Sequence, residues 1–230
     1  MFKKKKFSNF TSLITVATMI TALFVFAPFQ NHTNAETNAK LNPFTDVKPG
    51  YSHYNTILSL YQDGIVTGVT ATEFKPNSKA TRGETAQFIV NALGLDTTNV
   101  NNPKFPDVPT NHENYEAIAI LYGKGVIGGY TNGNFGPNDS ITRTQIATMI
   151  TRAFNLEEAT STTTKFVDVN KLKDSNAKRY IQTLVNYNIT AGTSPTTFSP
   201  NMKLTRGQLA TFLSAAMDVE NVDFEVIGVE

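Results

Sequence analysis

Between residues 51 and 95 two apolar stripes of helical period flank a stretch that has none. Tyr54, Ile57, Leu58 and Tyr61 fall at i, i+3, i+4 and i+7, one face of a helix. Gly64 follows where a helix end favours a left-handed residue. From Gly68 to Asn77 no helical period continues, and Pro76 would break one. A second helix is expected from Thr81-x-x-Glu84, the pattern of a capping box in which the two side chains satisfy each other's backbone amides. Phe88, Ile89, Ala92 and Leu93 continue it as an apolar stripe, and Gly94 ends it. Two short helices in about 60 residues are marginal as a free domain, so such a unit has to share a core.

The same pattern returns twice. Phe44-x-Asp46-Val47 recurs as Phe105-x-Asp107-Val108 and as Phe166-x-Asp168-Val169, each 61 residues on. Gly64-Ile65-x-x-Gly68 recurs as Gly125-Val126-x-x-Gly129, then as Asn188-Ile189-x-x-Gly192, with Asn as the common non-glycine substitute in a left-handed position. Phe74-x-Pro76-Asn77 matches Phe135-x-Pro137-Asn138 and Phe198-x-Pro200-Asn201. Thr81-Arg82-x-Glu84 matches Thr142-Arg143-x-Gln145 and Thr205-Arg206-x-Gln208, where Gln can replace Glu in the box. A two-residue insertion precedes the first helix of the third copy. Self-similarity at a fixed period decides the architecture: a mainly α protein of three helix-loop-helix repeats, at 42–95, 103–156 and 164–218. Asp96 to Lys104 and Glu157 to Lys165 read as connectors, and 219–230 as an acidic tail in which Val219, Val222, Phe224 and Val226 alternate with acids.

Ahead of the repeats, Lys3 to Lys6 form a basic cluster, Leu13 to Ala27 an apolar run, and Gln30 to Asn34 a polar segment ending in Ala35. This is the layout of a signal peptide spanning 1–35, with cleavage after Ala35 or Ala39. An uncleaved anchor is the competing reading, but the run is short of the roughly 20 residues a spanning helix needs. Removing residues 1–35 takes away four Lys and no acid, leaving 16 basic against 19 acidic side chains, a net −3. A formal charge of +1 for the whole chain thus hides an acidic mature part, and nucleic acid is a poor partner for it. The absence of Cys excludes disulfides, thiolate metal sites and a Cys nucleophile. No Ser/His/Asp set recurs, and His53 and His112 sit at non-equivalent repeat positions, as surface residues do. Asn132-Gly133-Asn134 lacks the acids of a calcium loop. No cofactor, metal or catalytic chemistry is expected.

The candidate site lies at the start of the second helix. Arg82, Arg143 and Arg206 each occupy its first turn, where a cation opposes the helix dipole. Three such residues at equivalent positions call for something negative nearby. Free amides, the hydroxyls of Thr81, Thr142 and Thr205, and the guanidinium would together suit a carboxylate or phosphate. The alternative is an internal partner, with Asp46, Asp107 and Asp168 pairing with the arginines. Those aspartates also have a reading as plain turn or cap residues. Tyr54 and Tyr115 read as core rather than as a sugar platform.

As a set, these blocks resemble the S-layer homology (SLH) domain, over about residues 42–218. Copy two fits best, with Gly129-Tyr130-Thr131-Asn132-Gly133-Asn134-Phe135 and Ile141-Thr142-Arg143 intact. The resemblance implies a pseudo-threefold trimer around a central three-helix bundle, with ligand grooves between neighbouring lobes. It implies non-covalent anchoring to secondary cell-wall polysaccharide on peptidoglycan, through a ketal-pyruvate carboxylate met by Arg82, Arg143 and Arg206. It places the protein in the cell wall or S-layer, with no membrane partner once the signal is removed. A structural S-layer assembly protein, packing on other S-layer proteins, is the alternative. The family's usual Trp at the start of the first helix is Ser52, Glu113 and Asn176 here. Val69 and Thr193 replace the Tyr130 of copy two.

Overall fold

A computed structural model describes residues 42–219. The expected signal segment 1–35 and the expected tail from 220 onward lie outside the described residues. The elements are α1 (Tyr54–Gln62), α2 (Arg82–Ala92), α3 (Tyr115–Gly123), α4 (Arg143–Ala153), the one-turn α5 (Val167–Asn170), α6 (Ser175–Asn186) and α7 (Arg206–Met217). Extended backbone among the described residues is limited to isolated bridges. Helix-loop-helix recurs three times, as the periodicity predicts.

The helix ends follow the residues that suit them. Gly64, Gly125 and Asn188 all take positive φ, at 73°, 70° and 57°, just past the first helix of each repeat. Asp174, within the inserted stretch, caps α6 by accepting the amides of Asn176 and Ala177. Thr142–Gln145 and Thr205–Gln208 form complete capping boxes. Thr81 accepts the Glu84 amide, but the Glu84 side chain does not return to close the box. It turns instead to Arg206 of the third repeat, because an ionised carboxylate gains more from a guanidinium than from a neutral amide.

Within each repeat the motifs interlock. Phe44 tilts against Phe74, Phe105 against Phe135 and Phe166 against Phe198, with ring centroids 5.4, 5.5 and 5.7 Å apart. The glycine ending the Gly-x-x-x-Gly block lies under the first of these rings. A Cβ on Gly68 or Gly129 would come within 2.6 Å of Phe44 or Phe105 Cε1, so no larger residue fits. Tyr54 and Tyr115 are buried in the core. Tyr61 stays on the rim, edge-on to Phe44, and Leu60 is the buried residue at that end of α1.

The repeats share their core in a ring. The second helix of each repeat packs on the first helix of the next: α2 on α3, α4 on α6, and α7 back on α1. The second helices start from one triangle of backbone hydrogen bonds. Ala80 N–H donates to Leu204 C=O, Leu204 N–H to Ile141 C=O, and Ile141 N–H to Ala80 C=O, at 3.1, 3.0 and 2.9 Å. From it α2, α4 and α7 run as the expected set of one helix per repeat, with α2 packed on α7. Ile89, Ile150 and Leu213, at equivalent positions of these helices, have no exposed surface. No helix among the described residues is long and apolar enough to cross a membrane.

Candidate functional site

Each first-turn arginine reaches across a repeat boundary. Arg82 Nε donates to Phe135 C=O at 3.0 Å, Arg143 Nε to Phe198 C=O at 2.6 Å, and Arg206 Nε to Phe74 C=O at 2.6 Å. Their terminal nitrogens meet Gly128 C=O, the Thr190 hydroxyl and Thr67 C=O respectively. Each guanidinium also lies 4.4 to 4.5 Å from the ring of the phenylalanine whose carbonyl it binds. All three are 4 to 6% exposed.

The amides expected to be free are occupied. Arg82 and Gly83 N–H donate to Asp139 and Pro137 C=O; Arg143 and Thr144 to Met202 and Pro200; Arg206 and Gly207 to Ser78 and Pro76. The dipole argument called for a negative partner, and these carbonyls of the neighbouring repeat supply it as partial charge. The hydroxyls of Thr81, Thr142 and Thr205 are spent on capping their own helices.

The aspartates hold the turns that supply those carbonyls. Asp46 accepts the amides of Phe74 and Lys75, Asp107 those of Phe135 and Gly136, and Asp168 those of Phe198 and Ser199. The second residue of each pair has positive φ: Lys75 56°, Gly136 73°, Ser199 59°. Two non-glycine residues are thus held in a conformation costing about 1–2 kcal/mol each. The turn reading of the aspartates holds. A direct Asp–Arg ion pair is absent among the described residues, and the carboxylates act on the arginines through space.

Burial pulls Arg143 down to about 10, opposed by Asp168, and Arg206 to about 10, opposed by Asp46. Arg82 is lowered by burial, against the pull of Tyr130, Asp139 and Asp107. At neutral pH all three remain cations.

Between repeats 1 and 2 a cavity of about 240 Å³ opens beside Arg82. Its floor is Val126 to Gly129 of the glycine loop, and its wall is Gln145, Thr148, Met149 and Arg152 on α4. No acidic residue lines it. Arg152 is exposed and held by the Tyr180 hydroxyl, 3.0 Å from one terminal nitrogen, with Gly125 C=O at 3.4 Å from the other. Tyr130 covers the far side of Arg82, its ring 4.9 Å from the guanidinium. Two cations that form no ion pair with a carboxylate among the described residues, polar amide and hydroxyl groups, and the open backbone of Gly128 suit an anionic ligand. Of the nine expected site residues Arg82 lines this cavity; the other eight serve the turns, caps and ring described above. Ser52, Glu113 and Asn176 are exposed and lie outside the lining, so Glu113 puts no negative charge in it.

Sequence reasoning passed over Arg152. Its signal was a polar stripe, Gln145-Thr148-Arg152, at i, i+3 and i+7 of the helix, beside the apolar Ile146, Met149 and Ile150. The same positions read Glu84-Gln87-Asn91 and Gln208-Thr211-Ala215 in the other copies, so Arg152 is a departure from the repeat rather than part of it. His53, expected at the surface, is partly exposed and makes a contact that the sequence did not signal. It is half-buried on α7, its Nδ1 2.7 Å from the Thr211 hydroxyl, because ring closure brings repeat 1 onto repeat 3.

The S-layer homology domain matches this chain at residues 43–86, 104–147 and 165–210. An endoglucanase from Bacillus sp. (strain KSM-635) is 30% identical over 223 residues, covering 94% of this chain and 23% of the relative. The surface-layer 125 kDa protein of Lysinibacillus sphaericus is 31% identical over 188 residues, 80% of this chain and 15% of the relative. The cellulosome-anchoring protein of Acetivibrio thermocellus is 28% identical over 152 residues, 63% of this chain and 33% of the relative. The chain spans a third or less of the length of these relatives. Three family matches fall on the three repeats that build the ring, and the chain belongs to the S-layer homology domain family.

Proposed function

We propose that the protein attaches to the cell wall by binding an acidic secondary polysaccharide non-covalently in the groove between repeats 1 and 2. The observation that carries this is the cavity of about 240 Å³ with Arg82 and Arg152 on its lining and no acid among them. Family membership and the surface-layer and cellulosome-anchoring names of two relatives support wall or S-layer association. A carboxylate substituent such as a ketal-pyruvate is the ligand group that two guanidinium ions favour. Arg143 and Arg206, the equivalents named by the resemblance, are candidates in the other two grooves. The protein works as a surface anchor and not as an enzyme, exported by its signal segment.

A second reading is favoured by the burial of the arginines. All three bond internal carbonyls, as a structural S-layer protein that packs through its repeats would require. Replacing them with Ala would disturb folding and binding together. The discriminating variant is therefore Arg152→Gln, on the exposed wall of the groove.

Co-sedimentation with purified sacculi tests the proposal. Wild-type protein is expected to pellet with intact sacculi and not with sacculi stripped of secondary polysaccharide. Arg152→Gln should weaken binding about tenfold, the value of one charge-assisted contact of about 1.4 kcal/mol, with the helical spectrum unchanged. Equal pelleting with stripped walls would reject the glycan reading and favour protein packing.

A further inference from the structure

Arg152 of α4 meets Tyr180 of α6 where the second helix of repeat 2 packs on the first helix of repeat 3. By the repeat spacing, the same two positions are Asn91 and Ala117 where repeat 1 meets repeat 2, and Ala215 and Thr56 where repeat 3 meets repeat 1. Neither of those seams carries a cation or an aromatic ring there, so both members of the pair depart from the repeat together. The Tyr180 hydroxyl accepts from Arg152 Nη2 at 3.0 Å and from Nε at 3.3 Å, and Gly125 C=O accepts from Nη1 at 3.4 Å. The Tyr180 ring centroid lies 5.3 Å from the same guanidinium. Tyr180 is 6% exposed, whereas Arg152 is exposed and lines the cavity beside Arg82. A guanidinium carries five N–H donors, so one on each terminal nitrogen is left for a ligand. Of the two cations on this lining, Arg82 feels Asp107 and Asp139 through space, and Arg152 forms no ion pair among the described residues.

We propose that Tyr180 is a positioning residue that holds Arg152 at the wall of the groove, so that the anion site between repeats 1 and 2 is completed by repeat 3. The inference rests on the anion-binding reading of this groove given above. An exposed arginine with no neighbour to hold it samples many rotamers, and a ligand that captures it has to freeze them. A buried phenol bonded to two of its nitrogens freezes them on folding, and that cost does not return on binding. Tyr180 is itself fixed, because α6 packs on α4 and encloses the ring. The kind of acceptor matters as well. A phenol is a neutral acceptor, so it orients the guanidinium and leaves the charge for the ligand. A carboxylate at that place would take the charge for itself.

A double-mutant cycle tests this, with Tyr180→Phe, Arg152→Gln and both together in the full chain. Binding to purified sacculi is measured by co-sedimentation, with sacculi stripped of secondary polysaccharide as the blank. Tyr180→Phe should weaken binding about fivefold, since ordering the arginine now falls to the ligand, with the helical spectrum unchanged. In the Arg152→Gln background the same change should have no effect on binding. Without any ligand, the Arg152 Nε–H signal in NMR should be sharp in the wild type and lost to solvent exchange in Tyr180→Phe. Wild-type binding by Tyr180→Phe overturns the proposal whatever the Nε–H signal does; the groove reading still stands if Arg152→Gln binds weakly. Losses that multiply in the double variant also overturn it, because Tyr180 would then reach binding by another route. Wild-type binding by Arg152→Gln rejects the groove reading itself, and the proposal with it.

Discussion

Arg82 and Asp107 are joined through a single residue. Asp107 Oδ1 accepts the Phe135 amide at 2.8 Å, and Arg82 Nε donates to the Phe135 carbonyl at 3.0 Å. One contact is made within repeat 2 and the other from repeat 1. Arg143 with Asp168 through Phe198, and Arg206 with Asp46 through Phe74, repeat it until the ring closes. The aspartate shapes the turn, and the arginine locks the next lobe onto it.

Asp107→Ala removes the acceptor of two amides, those of Phe135 and Gly136. Hydrogen bonds to a charged group contribute about 1.5–3 kcal/mol each, and the amides would be left with poorer partners. A loss of about 3 kcal/mol in urea unfolding is expected. A loss below about 1 kcal/mol would show that the turn holds its shape unaided.

Arg143→Lys keeps the charge but not the fork that spans Phe198 C=O and the Thr190 hydroxyl. Arg143→Ala also loses the stacking on Phe198 and leaves a buried carbonyl unpaired. The expected order of stability is wild type, then Lys, then Ala, with Ala about 3 kcal/mol down by denaturant titration. Equal stability of all three would remove the arginine from the ring.

Gly136 has φ 73°, and a Cβ there would come within 2.6 Å of Tyr130 Cε2. Gly136→Ala should cost about 2 kcal/mol from the left-handed backbone alone, and push Tyr130 off Arg82. Lys75→Gly at the equivalent turn should do the reverse and raise stability by about 0.5 kcal/mol, the relief of strain less the entropy lost by glycine. Paired thermal melts of the two variants test both signs.

Acid should weaken the fold in two steps. Burial lowers His53 below 6.5, so just under that pH the unfolded chain takes up a proton that the folded chain resists. Stability is full above 6.5 and declines as pH falls through the folded value. Burial works against the charge on Asp168, but the amides of Phe198, Ser199 and Val169 outweigh it and lower its pKa below 3.8. Its contribution is present above 3.8 and lost as pH falls through the lower folded value. A melting curve against pH should show a first decline that His53→Gln abolishes and a second that Asp168→Asn reduces.

The repeats, the helix faces and their ends were legible because each rests on neighbours in sequence: a 3.6-residue stripe, a Thr three residues before a Gln, a glycine or Asn just past a helix. The arginine motif was legible as an anomaly, a cation at the wrong end of a helix dipole. Its answer was not, since Arg206 finds its carbonyl on Phe74, 132 residues away. Similarly long separations hid Glu84 from Arg206 and His53 from Thr211, and Arg152 broke the repeat pattern.

The amino-acid order by itself determined three copies of a helix-loop-helix unit too small to stand alone, each with an unpaired positive helix start and a tethered Asp. The tertiary structure decided what those starts and charges meet. Closing three units into a ring brings each helix start against the next repeat's carbonyls, and leaves beside Arg82 a cavity whose charge depends on residues from two repeats at once. No periodicity within one repeat can report that sum, because the charge balance of a groove is set by side chains that only folding makes neighbours.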